Sequence, residues 1–123
     1  MEVESGAYEG AYSFRSRFED GTGSNPEELI AAAHAGCFSM ALANLLTDAG
    51  YEPESVETSA EVTLRMLPEK GPTVTEIALT TRVAAEGLSD EDVRAHAQEA
   101  KEGCPVSKAL SGVDTITLDA ALA

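Results

Sequence analysis

Between Val56 and Met66 the chain alternates without a break: Val56, Thr58, Ala60, Val62, Leu64 and Met66 face one way, and Glu57, Ser59, Glu61, Thr63 and Arg65 the other. A two-residue period with one wet face predicts a half-buried antiparallel strand. Pro68-Glu69-Lys70-Gly71-Pro72 makes a turn, and Thr73 to Val83 returns with Ile77, Leu79, Thr81 and Val83 on one face. The two runs predict a hairpin. Upstream, Leu29 to Leu46 is apolar nearly all the way round, interrupted by His34, Ser39 and Asn44. Asn25-Pro26-Glu27-Glu28 reads as its start, with Asn25 as N-cap, Pro26 at the first helical position and Glu28 closing a capping box; Gly50 supplies the stop. The stretch is long enough to raise the question of a membrane span. Its alanine content and its polar side chains instead predict the buried central helix of a soluble protein, covered on every side by sheets, another helix or a second subunit.

Ala11 to Phe18 has the composition of a strand, with Tyr12 and Phe14 on one face and Arg15 and Arg17 on the other, and Glu19 to Ser24 reads as a loop. Beyond the hairpin, Ser89-Asp90-Glu91-Asp92 opens a second helix, with Leu88 placed to staple onto Val93. That helix runs to about Glu102 and breaks at Gly103. Cys104-Pro105 begins a short helical turn ending before Gly112, and Val113 to Leu122 alternates as a last strand. The order is strand, long helix, hairpin, helix, strand. It predicts an α+β fold in which a long buried helix and a second helix pack against an antiparallel sheet. No repeat, linker or low-complexity run divides residues 1–123, so one domain is expected.

Composition narrows the function. With 123 residues and 43% hydrophobic content the chain can bury a modest core, and with 5% aromatics and no tryptophan that core is aliphatic and alanine-rich. Small side chains bury little area each, so the fold gains by covering one apolar face with a copy of itself. The net charge of −14, from 22 acidic and 8 basic residues, argues against nucleic acid and anionic membrane surfaces as partners. The N-terminus has neither a basic nor an apolar leader segment, which predicts a cytoplasmic protein. In a reducing compartment two distant cysteines are poor candidates for a permanent staple, and a catalytic, redox-active or metal-binding role rises accordingly.

Two cysteines carry the candidate chemistry. Cys37 lies mid-helix in Ala33-His34-Ala35-Gly36-Cys37-Phe38, where a lone cysteine is most simply a small buried hydrophobe. Cys104 directly precedes Pro105 at the start of a helical turn, where free N–H groups favour a thiolate; a loop cysteine without a role is the plain alternative. His34, Cys37, His96 and Cys104 could in principle surround a zinc ion, but their spacings are not those of a zinc finger.

Two longer runs are more specific. Arg17-Phe18-Glu19 followed by Gly23-Ser24-Asn25-Pro26-Glu27-Glu28-Leu29-Ile30-Ala31-Ala32-Ala33-His34-Ala35-Gly36-Cys37-Phe38-Ser39-Met40-Ala41-Leu42 resembles the first signature of the osmotically inducible protein C (OsmC) and Ohr peroxidase family. Ala100-Lys101-Glu102-Gly103-Cys104-Pro105-Val106-Ser107 resembles the second, and the wording is nearer the OsmC branch. The likeness extends from about Val3 to Leu118. It implies reduction of organic hydroperoxides, with hydrogen peroxide a poorer substrate, and an intertwined homodimer with its active sites at the subunit interface. It implies no bound cofactor; an external dithiol, from a lipoylated protein, serves as reductant. Residue by residue, Cys37 matches the peroxidatic cysteine, Cys104 the resolving one, and Arg17 and Glu27 the arginine and glutamate that hold the reactive thiolate. Family members usually carry a longer N-terminus forming the first strands, and this chain begins late.

Elementary chemistry gives those four residues sense. A free thiol titrates near about 8.5, and burial suppresses the thiolate further. Mid-helix, Cys37 gets no help from a helix terminus, so a cation must supply it. An arginine at the sulfur lowers the pKa by roughly two units, worth about 2.7 kcal/mol, and Glu27 can fix that guanidinium by a bidentate pair. The ordinary readings are a solvated strand arginine and a first-turn helix acid. Glu27 precedes Cys37 by ten residues, about 15 Å along a helix axis and roughly 80° off its face. The two cannot touch within one chain, so Arg17 and Glu27 of one subunit are expected to serve Cys37 of the other, unless Arg17 bridges the gap in cis. An apolar substrate pocket is expected around Phe38, Met40 and the strand aromatics. A metal- or ligand-binding module, or a redox sensor without turnover, remains the alternative use of the same cysteines.

Overall fold

The local signals around the long helix are realised at both ends. In the computed structural model, which describes residues 1–18 and 21–123, Asn25 adopts an extended conformation and its side chain accepts the Glu28 N–H at 2.9 Å, with Pro26 opening helix α2 (Pro26–Asp48). The capping box expected of Glu28 does not close. Its carboxylate accepts the Ser24 hydroxyl at 2.7 Å instead, because a free hydroxyl one residue before the cap competes for it. At the other end Gly50 takes φ +94°, a conformation open to glycine at little cost. The Gly50 N–H then bonds the Thr47 carbonyl and the Tyr51 N–H the Leu46 carbonyl, the paired closure of a Schellman stop.

The expected strand over residues 11–18 is not formed. Residues 15–18 make one helical turn, α1 (Arg15–Phe18), and the nearest pairing is a single bridge from Tyr12 to Ser24. The cause is local: Ser13 and Ser16 each accept the other's backbone N–H on the side-chain hydroxyl, which turns the chain before a ladder can start. Tyr12 and Phe14 are left largely exposed. Residues 19 and 20, where the loop after this segment was expected to begin, lie outside the described residues.

The hairpin forms as its alternation requires. β1 (Pro53–Leu67) and β2 (Gly71–Ala85) are antiparallel, with Val56 opposite Val83, Thr58 opposite Thr81, Ala60 opposite Leu79 and Val62 opposite Ile77, so the apolar sets of both strands share one face. Between Thr63 and Leu64 the register slips past Thr75, a bulge that re-aims the strand towards the hairpin tip, where Met66 is exposed rather than inward-facing. The connection continues through α3 (Asp90–Gly103) and α4 (Pro105–Ala109) to β3 (Thr115–Leu122). β3 pairs in parallel with β2, Leu79 against Leu118 and Val83 against Leu122. The sheet, in order β1-β2-β3, is therefore mixed rather than wholly antiparallel, because two helices between β2 and β3 return the chain to the starting edge.

The core sits between the sheet, α2 and α3. Phe38, Leu42 and Leu46 of α2 meet Leu79 and Val83 of β2, Val93, Ala97 and Ala100 of α3 and Ala120 of β3. Ser89 and Asp92 close a reciprocal capping box on α3, and Leu88 and Val93 flank it in the core as a staple should. Within one chain the cover of α2 is partial. α2 buries a single stripe, His34, Phe38, Leu42 and Leu46 at four-residue spacing, while Ala32, Ala33, Gly36 and Met40 are exposed on its other side. The three-stranded sheet with α3 and α4 covers one side of this apolar helix, not all of it. α2 has the length and hydropathy of a membrane span, yet its buried stripe is built into this core.

Candidate active site

The two cysteines, distant in the chain, meet. α2 carries Cys37 one residue before the core anchor Phe38, and Cys104 ends α3 and begins α4 as the cap of both. Its N–H bonds the Ala100 carbonyl at 2.9 Å and its carbonyl takes the Lys108 N–H at 3.1 Å, so its backbone is held from both sides. The two sulfurs lie 2.7 Å apart, both as free thiols. Cys104 has no exposed surface, whereas Cys37 is half-buried.

The surroundings treat the two thiols differently. Burial pushes Cys37 up, and the thiol–thiol hydrogen bond adds to the rise, opposed by the Val106 N–H. Burial also pushes Cys104 up, but the hydrogen bonds from Cys37, from the Ser107 N–H and hydroxyl and from the Val106 N–H outweigh it, and the net direction is down. Two thiols this close titrate as a pair rather than one by one. Ser107 also bonds His34: Oγ and Nε2 are 2.6 Å apart, and the imidazole is wholly buried, with its basicity lowered by burial.

Arg17 and Glu27 form the other pair. The guanidinium Nε donates to Glu27 Oε2 at 3.1 Å, with the side chains 28% and 13% exposed. They border a surface cleft of about 390 Å³ that Phe18, Ala31, Ala60 and Val62 also line. Neither cysteine lines that cleft, and Arg17 is absent from the groups that set the titration of Cys37. The four residues read from the sequence thus come together as two couples, Cys37 with Cys104 and Arg17 with Glu27, and one chain does not join them. Among the described residues no three His, Cys, Asp or Glu side chains converge as a ligand set, and His96 lies edge-on to the Tyr51 ring. Of the residues expected around a substrate pocket, Phe38 is wholly buried in this chain, while Met40, Tyr12 and Phe14 are exposed.

The model of the family described as OsmC-like protein matches residues 19–119. The chain belongs to the OsmC-like family. The OsmC-like chain is 48% identical over 108 residues to peroxiredoxin OsmC of Escherichia coli (strain K12), covering 88% of this chain and 73% of that protein. It is 35% identical over 97 residues to organic hydroperoxide resistance protein OhrA of Bacillus subtilis (strain 168), covering 79% and 67%. The fold is similar to the crystal structure of an organic hydroperoxide resistance protein OsmC from Legionella pneumophila, with a TM-score of 0.80 at 30% identity over 96% of this chain and 86% of that one. It is similar also to OhrB of Bacillus subtilis, with a TM-score of 0.79 at 26% identity over 99% and 87%.

Sequence reasoning missed Ser107 and took His34 only as a break in an apolar helix or a weak zinc ligand. A usable signal was present. A histidine on the buried stripe of an otherwise apolar helix needs a polar partner, and at three residues from Cys37 that partner has to lie near the thiols.

Proposed function

We propose that this OsmC-like protein is a thiol-dependent peroxidase that reduces organic hydroperoxides to alcohols. The observation that carries the reading is the 2.7 Å separation of the two sulfurs, one of them reachable from solvent. The Cys37 thiolate attacks the terminal peroxide oxygen; the O–O bond breaks, the alkoxide takes a proton and leaves as alcohol, and Cys37 is left as a sulfenic acid. The Cys104 sulfur then attacks the Cys37 sulfur, a disulfide forms, and water carries away the oxygen. A dithiol, such as the lipoyl group of a carrier protein, restores both thiols by exchange and is itself oxidised to a disulfide.

A homodimer completes the site. The uncovered side of α2, with Ala32, Ala33, Gly36 and Met40, offers small side chains and one large apolar one for a second copy. Such a copy brings its Arg17, steered by Glu27, to Cys37 and favours the thiolate there before peroxide attack. The exposed Met40, Tyr12 and Phe14 give an apolar approach suited to an alkyl or lipid hydroperoxide. The reducing cytoplasm is the compartment in which the dithiol step runs.

The test follows cumene hydroperoxide consumption with dihydrolipoamide as donor. Cys37→Ser is expected to abolish turnover, and Cys104→Ser to allow one oxidation per chain and then stall. Undiminished turnover without the sulfur at position 37 refutes the proposal. Closure of the disulfide once, with no dithiol able to reopen it, makes the protein a redox sensor instead.

A further inference from the structure

His34 is the one polar side chain on the buried stripe of α2. Its Nε2 lies 2.6 Å from Ser107 Oγ, Ser107 follows Cys104 by three residues on α4 and is among the groups that lower the pKa of that thiol, and the Cys104 sulfur lies 2.7 Å from Cys37. A buried His34–Ser107 pair thus stands beside the thiol pair, with α4 as the connection. A serine hydroxyl has one proton, which points either to the imidazole or to the sulfur. The other ring nitrogen decides between them. Nδ1 is buried and without a hydrogen-bond partner among the described residues. As a bare acceptor it leaves only a lone pair unfilled, but as an N–H it becomes a buried donor with nothing to receive it, the rarer and costlier arrangement. The ring proton therefore belongs on Nε2, His34 donates to Ser107 Oγ, and the serine proton is left for sulfur.

We infer that His34 is a positioning residue for the resolving thiol: its Nε2–H fixes Ser107 so that the hydroxyl donates to the Cys104 sulfur and holds it ready to attack an oxidised Cys37. This rests on the peroxidase reading only for what the sulfur attacks. In that step the S–S bond forms and the S–O bond of the sulfenic acid breaks. The departing hydroxide is balanced by the proton that Cys104 releases on ionising, and the product is water. The groups that face Cys104 are Cys37 on α2, the Val106 and Ser107 amides with the Ser107 hydroxyl on α4, and the Ala100 carbonyl on α3, which takes its N–H. His34, reached through Ser107, is the histidine of that set.

The experiment uses the full chain with Cys37→Ser, which leaves Cys104 as the sole thiol of the two, and titrates the near-ultraviolet absorbance of its thiolate against pH. Ser107→Ala and His34→Leu are each expected to raise the midpoint by about one unit, a tenfold loss of thiolate at fixed pH. His34→Gln, which keeps a side-chain N–H, is expected to restore most of it. With Cys37 present, Ser107→Ala and His34→Leu slow disulfide closure after one equivalent of hydroperoxide by about tenfold, while sulfenic acid formation is unchanged. Ser107→Ala removes one oxygen and leaves the packing in place, so an unmoved midpoint in that variant overturns the inference. Equal shifts in His34→Leu and His34→Gln overturn the part assigned to the imidazole. Shifted midpoints in a protein that never turns over peroxide sink the peroxidase reading and leave the part of His34 and Ser107 standing.

Discussion

Gly36→Leu separates a lone chain from a dimer because the two give opposite signs. Gly36 sits in the middle of α2 on its uncovered side, and a Cβ added there meets nothing within 4 Å. In a monomer the substitution exchanges a poor helix former for a good one, a gain of about 0.8 kcal/mol. With an unfolding entropy of about 2.1 cal/mol/K per residue, a chain of 123 residues should melt about 3 °C higher. If α2 packs against its copy through this face, each leucine is forced between two helices that small residues let approach closely. Overpacking costs about 1–3 kcal/mol per site and symmetry doubles it, so dimer affinity falls by about 30-fold to 25,000-fold. Sedimentation velocity across a dilution series, with thermal melts of the same samples, reads both effects. A variant that melts higher and stays as dimeric as the native chain at every dilution refutes the interface, and with it the supply of Arg17 across α2.

Further outcomes follow from the same coordinates. Leu42→Ala, at a wholly buried position between α2 and its neighbours, should cost about 2–5 kcal/mol, read by urea unfolding, whereas Met40→Lys should leave the stability of a diluted monomer within about 0.5 kcal/mol. Arg17→Ala should slow the first reaction with hydroperoxide by about a hundredfold, the loss of roughly two units of thiol acidification, and leave disulfide closure unchanged in stopped-flow traces; equal slowing of both steps refutes a role at Cys37. His34 is held below its ordinary value of 6.5 by burial. The unfolded chain therefore binds a proton that the folded chain refuses, and stability is complete above pH 6.5 and lost as pH falls towards the lowered value. Melting temperatures from about pH 8 to pH 5 should fall more steeply for the native chain than for His34→Gln, and parallel curves refute the assignment.

What the sequence discloses depends on how local the deciding interaction is. Asn25, Pro26 and Gly50 delimit α2 because capping acts within four residues, and the Val56–Met66 alternation finds its partner because a short turn leaves little choice of register. Ala11 to Phe18 misled for the same reason in reverse: two serines three apart satisfy the backbone themselves, and alternation of side chains does not weigh that competition. The parallel sense of β3 is invisible in its own residues, since Leu118 and Leu122 face inward in either direction and only the α3–α4 crossover decides. The thiol pair was legible through its motifs. That the Cys104 thiol is acidified depends on neighbours from α4 that only the fold brings to the sulfur.

In the proposed cycle, the unequal exposure of the two sulfurs gives recycling a direction. Once they are joined, a reductant approaching from solvent meets the Cys37 side, since Cys104 has no exposed surface. The mixed disulfide then forms on Cys37, and Cys104 departs. The same hydrogen bonds that acidify Cys104 make it the better leaving group, because a thiol of lower pKa is expelled faster. In that cycle the outside thiol bonds only to the exposed sulfur, and the buried one takes part solely as attacking and leaving group.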